Sequence, residues 1–153
     1  MFIFGAKWTR VDTTLEFPLG QIGADRDGKF YKYVQYETAA GTIAAVAGNF
    51  CYYYAAGGVS AGSSTVVTSD LSDSAGVGAG VLQSVIGDGE YGWILTQGRA
   101  TLTTALTAGA DGNALTPVGS TDGTLDVSAL VTDHICAIAI DASAKIVMVT
   151  CPL

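Results

Sequence analysis

Apolar and polar positions alternate with a period close to two along much of this chain, in short runs that glycine-rich stretches separate. That period puts successive side chains on opposite faces of an extended strand. Residues 29–37 (KFYKYVQYE) are aromatic-rich and roughly alternating, and the Asp27-Gly28 turn before them predicts a hairpin back to residues 19–24. Further strand-like runs cover 43–46, 49–55 (NFCYYYA), 64–68, 78–86, 91–97, 99–106 and 114–117. Gly57-Gly58, Gly87-Asp88-Gly89 and residues 121–124 punctuate them as turns. The last two runs, 134–140 and 145–151, are apolar on both faces and joined by 141–144, the pattern of a central hairpin covered on both sides. No long stretch repeats apolar residues at helical spacing, and only 127–130 or the segment around Leu71 suits a short helical turn.

Strands at this spacing with glycine punctuation predict an all-β fold, a small β-barrel or β-sandwich with an extended N-terminal arm. Residues 1–18 stand apart. Phe2, Phe4, Trp8 and Phe17 are spread among charges, with no turn chemistry before Pro18-Leu19-Gly20. The segment reads either as a first strand of the barrel or as an arm docking onto another subunit, ahead of a β-barrel-like domain over 19–153.

Composition narrows the function. A chain of 153 residues suits one domain with its own core. It is 49% hydrophobic and only 14% charged, which leaves the surface to Ser, Thr, Gly and Ala and suits a protein covered by neighbours. The net charge is −7, and beyond Lys32 only Arg99 and Lys145 are basic, against ten acidic residues. A nucleic-acid binder needs a basic face, so no nucleic-acid partner is expected. No run approaches the ~20 apolar residues of a membrane span, and Lys7 and Arg10 interrupt the apolar start, so neither a membrane partner nor export is expected. Cys51, Cys136 and Cys151 are odd in number and lack CxxC spacing, which fits reduced thiols, although some registers of the terminal hairpin would face Cys136 and Cys151.

Candidate chemistry is sparse. His134 is the only histidine, beside Asp133, and no GxSxG elbow accompanies it. Asp25-Arg26-Asp27-Gly28 lacks the later ligands of a calcium loop and reads as a hairpin turn; Asp70 and Asp73 suit solvation as well as a shared cation. The glycines of 76–80 precede a strand-like run, not the helix a phosphate cradle needs, so they suit bulges and close backbone approach. No catalytic residue, metal ligand or cofactor is therefore expected, and the chain reads as a non-enzyme. The tyrosines are more informative, because flat amphipathic rings favour protein interfaces. Tyr52, Tyr53 and Tyr54 are consecutive, so one core cannot hold all three and at least one should face outward.

The segment order resembles the capsid cement (head decoration) proteins of tailed bacteriophages. The matching pieces are Leu19-Gly20, Asp27-Gly28-Lys29 and Tyr33-Val34-Gln35, then Gly76–Gly78, Tyr91-Gly92-Trp93-Ile94 and Gln97-Gly98, then Leu115-Thr116, Asp122-Gly123 and the terminal hairpin. The likeness spans roughly residues 19–153, and the Tyr-Gly-Trp segment is its most specific part. It implies a β-barrel-like virion protein bound outside the head shell, assembled in the bacterial cytoplasm, that locks neighbouring major capsid subunits. The expected partners are the major capsid protein and further copies of the chain, with a homotrimer favoured over a homodimer. The interface candidates are Phe2, Phe4, Trp8 and Phe17 in the arm, with Tyr52, Tyr53 and Tyr54; Trp93 is expected in the core, with Gly92 allowing close packing. A head-fibre or carbohydrate- or receptor-binding module is the alternative.

Overall fold

The tyrosine-rich run opens onto a closed ring of strands. The computed structural model describes residues 2–58 and 62–153. Twelve strands occur among them: β1 (Phe2–Phe4), β2 (Val11–Asp12), β3 (Ile22–Ala24), β4 (Phe30–Tyr36), β5 (Phe50–Tyr54), β6 (Val66–Thr68), β7 (Ser74–Leu82), β8 (Tyr91–Thr101), β9 (Ala114–Thr116), β10 (Asp126–Val127), β11 (Ala137–Asp141) and β12 (Ile146–Thr150). The two runs at 91–97 and 99–106 prove to be one strand, β8, carried through Gly98. Gly98 takes φ 130°, and a Cβ there would lie 2.8 Å from Lys29 Cγ, so only glycine passes that point unstrained.

β4 pairs with β6 in parallel, β6 with β5, β5 with β7, β7 with β8, and β8 returns to β4, each of these last four antiparallel. The fold is thus all-β, a five-stranded barrel with additional strands. β8 runs on past the ring, and its free end carries β12, β11, β9 and β10 in that order. Thr101 faces Ile146 and Gln97 faces Thr150 across the β8–β12 pair. The hairpin at the Asp27-Gly28 turn forms as the sequence predicts, with Ile22 opposite Lys32 and Ala24 opposite Phe30. Asp25 Oδ1 accepts the backbone N–H groups of Asp27 and Lys29 and fixes that turn.

Closure gives the ring strands two cores, one on each face. Val34, Tyr36, Cys51, Tyr53, Val67, Ala79 and Ile94, drawn from all five strands, fill the inside. From the opposite faces of β4, β5, β7 and β8, Tyr31, Tyr33, Phe50, Tyr52, Val81, Trp93 and Leu95 point outward into a second cluster. Ala137, Ala139, Val147 and Val149 of the terminal hairpin, Leu115 of β9, and Leu102 and Leu125 of the connections cover that cluster. Glycines admit the close approaches: a Cβ on Gly80 would lie 2.3 Å from the Leu95 carbonyl oxygen, and one on Gly92 2.5 Å from Ile86 Cδ1.

Residues 2–18 contribute no strand to the ring and do not form a free arm. β1 pairs in parallel with β3 at the sheet edge, and β2 pairs with β8, Val11 facing Gly92. Between them the Trp8 ring stacks on Tyr31 (centroids 4.3 Å apart) and meets Trp93 edge-on at 5.1 Å, while Phe17 abuts Tyr33 and Trp93. Aromatic burial holds the segment on its own domain.

Two smaller expectations also change. Residues 43–46 form no strand; Ala39 and Thr42 take positive φ, the Ile43 N–H bonds the Thr38 carbonyl, and the Tyr36 hydroxyl holds the Ile43 carbonyl at 2.8 Å. Leu71–Asp73 is a short 3-10 turn as anticipated, whereas Val127 ends strand β10 and begins no helical turn.

Candidate interaction surface

The ionisable side chains that sequence reasoning weighed for chemistry are tied to structure. Asp70 accepts from the Gly41 and Ser72 backbone N–H groups and from the Ser72 hydroxyl, and Asp73 from those of Ala40 and Gly57. These hydrogen bonds pin the 38–42 loop, and those to Asp70 hold its carboxyl below the usual range against the opposing effect of burial. Among the described residues no three His, Cys, Asp or Glu side chains gather where they could hold a metal.

His134 Nδ1 accepts the Gly78 N–H at 3.4 Å, two residues before Cys136. All three cysteines are free, buried thiols. The Cys151 thiol donates to the Cys136 carbonyl at 3.7 Å and the Cys136 thiol to the Leu115 carbonyl at 3.8 Å. The neighbouring Cys151 and His134 lower the Cys136 pKa, whereas burial pushes Cys151 and Cys51 up. Cys136 sits in the outer core with no measurable exposure, so a substrate has no path to it. No helix among the described residues is long and apolar enough to cross a membrane.

No protein-family model, curated protein or solved structure matches this chain. Its surface must therefore be read from its own residues.

The seven residues expected at an interface divide. Phe2 and Phe4 lie on the edge strand β1 and are 51% and 74% exposed. Trp8 and Phe17 instead pack into the outer core, so their rings serve the fold. Tyr52 and Tyr53 are buried as well, in two different cores, which leaves Tyr54 as the ring of the triplet that reaches solvent. The reason is the double core: Tyr52 turns outward beneath the covering connections, where its hydroxyl meets the Thr121 and Thr124 carbonyls, and Tyr53 turns into the barrel. Only Tyr54 remains half-buried.

The surface that sequence reasoning missed is the outer face of the terminal hairpin. β11 and β12 lie between β9 and β8, central in their sheet as expected, and Ala137, Ala139, Val147, Val149 and Cys151 point inward. The alternate residues point away. Ile138, Ile140 and Met148 are 45%, 41% and 39% exposed, so this chain covers the hairpin on one side only. The two-faced apolar pattern was legible, but the sequence did not say which face its own chain would leave bare. A central strand pair that is apolar on both faces and bare on one is the mark of a surface made to be covered.

Proposed function

We propose that the chain is a structural virion protein, a capsid cement or decoration protein that binds the outer surface of a tailed-phage head and stabilises contacts between major capsid subunits. The observation that carries this reading is the bare apolar face of the β11–β12 hairpin on a small barrel. The segment order that resembles the cement proteins supports it, as does an acidic body that packaged DNA would repel and that therefore suits the outside of the shell. The exposed Phe2 and Phe4 on the edge strand offer a second, smaller contact.

The physical task is modest. Packed DNA pushes the shell outward, and a clamp bridging two subunits resists their separation. A specific contact needs about 800 Å² per partner, and a homotrimer on a threefold position multiplies a weak contact by avidity. The reading as a head-fibre or carbohydrate-binding module has less support, because sugar stacking needs exposed rings and the tyrosines are largely turned inward.

The test is to mix the purified chain with cement-free heads, sediment them, and count bound copies by quantitative mass spectrometry. Saturable binding at hundreds of copies, with heads that survive higher temperature, is the expected result. Absence of binding, or only a few copies per head, would reject the shell role.

A further inference from the structure

Side chains directly opposite one another on paired strands share one face of the sheet. The registers Ala114 with Ile138, Ile138 with Met148, and Met148 with Arg99 therefore lay an apolar row across β9, β11 and β12 that ends at a guanidinium on β8. Arg99 and Lys29 line one cavity of about 370 Å³, with Tyr31, Gln83 and Thr101 in its wall. Among the described residues neither cation belongs to an ion pair. Lys145 lies beside the hairpin turn, its ammonium on the Thr103 carbonyl at 3.0 Å. The two basic residues of 33–153 thus stand beside this bare apolar face; two of the ten acidic residues of that stretch also lie at its hairpin turn, where Asp141 accepts from the Ser143 hydroxyl and the Ala144 N–H and Asp111 accepts the Ala142 N–H.

We propose that this face is the docking surface for a carboxylate-bearing segment of the major capsid subunit, apolar side chains resting on the Ile138–Met148 row and the carboxylate entering the cavity between Lys29 and Arg99. The inference deepens the shell-binding reading and rests on it. Charge complementarity selects the partner. A net charge of −7 repels most acidic surfaces, and this face is where an acidic group gains on approach. A self-complementary contact would instead set the same cationic patch against itself.

The experiment uses the full chain with cement-free heads and four exposed-site variants, Arg99→Glu, Arg99→Lys, Ile138→Thr and Met148→Thr, each checked for unchanged near-UV circular dichroism and melting. Reversing the charge at Arg99 is expected to weaken binding by about tenfold or more, because the carboxylate then meets a like charge. Arg99→Lys retains most of the affinity, and either threonine variant weakens it without changing its dependence on NaCl. Wild-type binding with all variants equal to it overturns the docking face and leaves the shell role standing. Absence of wild-type binding removes the shell role and this inference with it. Variants that alter the oligomeric state of the isolated chain would assign the face to a second copy and overturn the choice of partner.

Discussion

The ammonium of Lys32, on β4, lies 2.9 Å from the hydroxyl of Tyr53, on β5, and 5.0 Å from the centre of that ring, although β6 separates the two strands. Lys32 is buried, and no carboxylate pairs with it among the described residues. The Tyr53 hydroxyl passes its own proton toward the Pro152 carbonyl at 3.5 Å. A tyrosine ring and one hydroxyl are weak compensation for a buried cation, and burial accordingly holds the Lys32 pKa below its ordinary value.

Replacing Lys32 with Met should therefore stabilise the chain, by about 1–2 kcal/mol near neutral pH. Between the lowered folded pKa and the ordinary lysine value the unfolded chain binds more protons, so wild-type stability gains from this group as pH rises. Lys32→Met lacks that gain, and its advantage should shrink as pH climbs toward the ordinary lysine value. Urea unfolding of both proteins across this range checks it. A variant less stable than wild type, or an advantage that does not change with pH, would show that the cation is well compensated.

Trp8 gives a sharper test of where the N-terminal segment belongs. Its ring fills space that Gly23 leaves open; a Cβ on Gly23 would come within 2.5 Å of the indole. Trp8→Ala should cost about 2–3 kcal/mol, somewhat below the loss for a fully buried tryptophan because Trp8 is only partly covered. Gly23→Ala should expel the ring and produce much of the same loss. In both variants the fluorescence of Trp93, otherwise buried, should shift to the red. Unchanged melting and emission would mean that residues 2–18 hang free.

What the sequence displayed, and what it concealed, follows from the range of each interaction. The strands at β3–β4, β5, β7, β8, β9 and β11–β12 were visible because alternation and turn chemistry are local. Which of the two expected architectures it would be, barrel or sandwich, was not, since β4 meets β8 across more than fifty residues and nothing local distinguishes them. Assuming one core made Tyr52-Tyr53-Tyr54 look like a displayed patch, when two cores take Tyr52 and Tyr53 in opposite directions. The same blindness to distant partners left Trp8 and Phe17 as surface candidates. Residues 43–46 had strand composition but sit between residues with left-handed backbone angles and the Tyr36 hydroxyl, which composition does not reveal.

Asp70 and Asp73 couple the 38–42 loop to the rest of the chain, and acid should loosen the part that Asp70 holds. Hydrogen bonds hold the folded pKa of Asp70 below its ordinary value, so its contribution is present above the unfolded value near ~4 and fades as pH falls through the folded one. Asp70→Asn should flatten this part of the acid stability profile. Asp73→Ala, which strands the Ala40 and Gly57 N–H groups, should cost about 2–3 kcal/mol at neutral pH. Amide exchange at Ala40 and Gly41 is the local readout, and protection there that survives both variants would refute the pinning role.

The buried thiols offer a test of the packing beneath the terminal hairpin. Cys136 and Cys151 lie under β11–β12, and Cys51 lies inside the barrel. Alkylation of any of them in the native chain requires an opening, and the opened thiols share the ordinary thiolate equilibrium, so their relative rates report how easily each site opens. Cys136 and Cys151, beneath a hairpin whose outer face is bare, should react with iodoacetamide before Cys51, which the closed ring encloses. Cys151→Ala removes its hydrogen bond to the Cys136 carbonyl and leaves a gap under β12, so the Cys136 labelling rate should rise at every pH with its midpoint unmoved. Peptide mass spectrometry over a pH series checks this, since more frequent opening scales the whole profile and leaves the midpoint in place. Labelling of Cys51 ahead of Cys136, or a Cys136 midpoint that moves with the substitution, would show that the thiols react without such an opening.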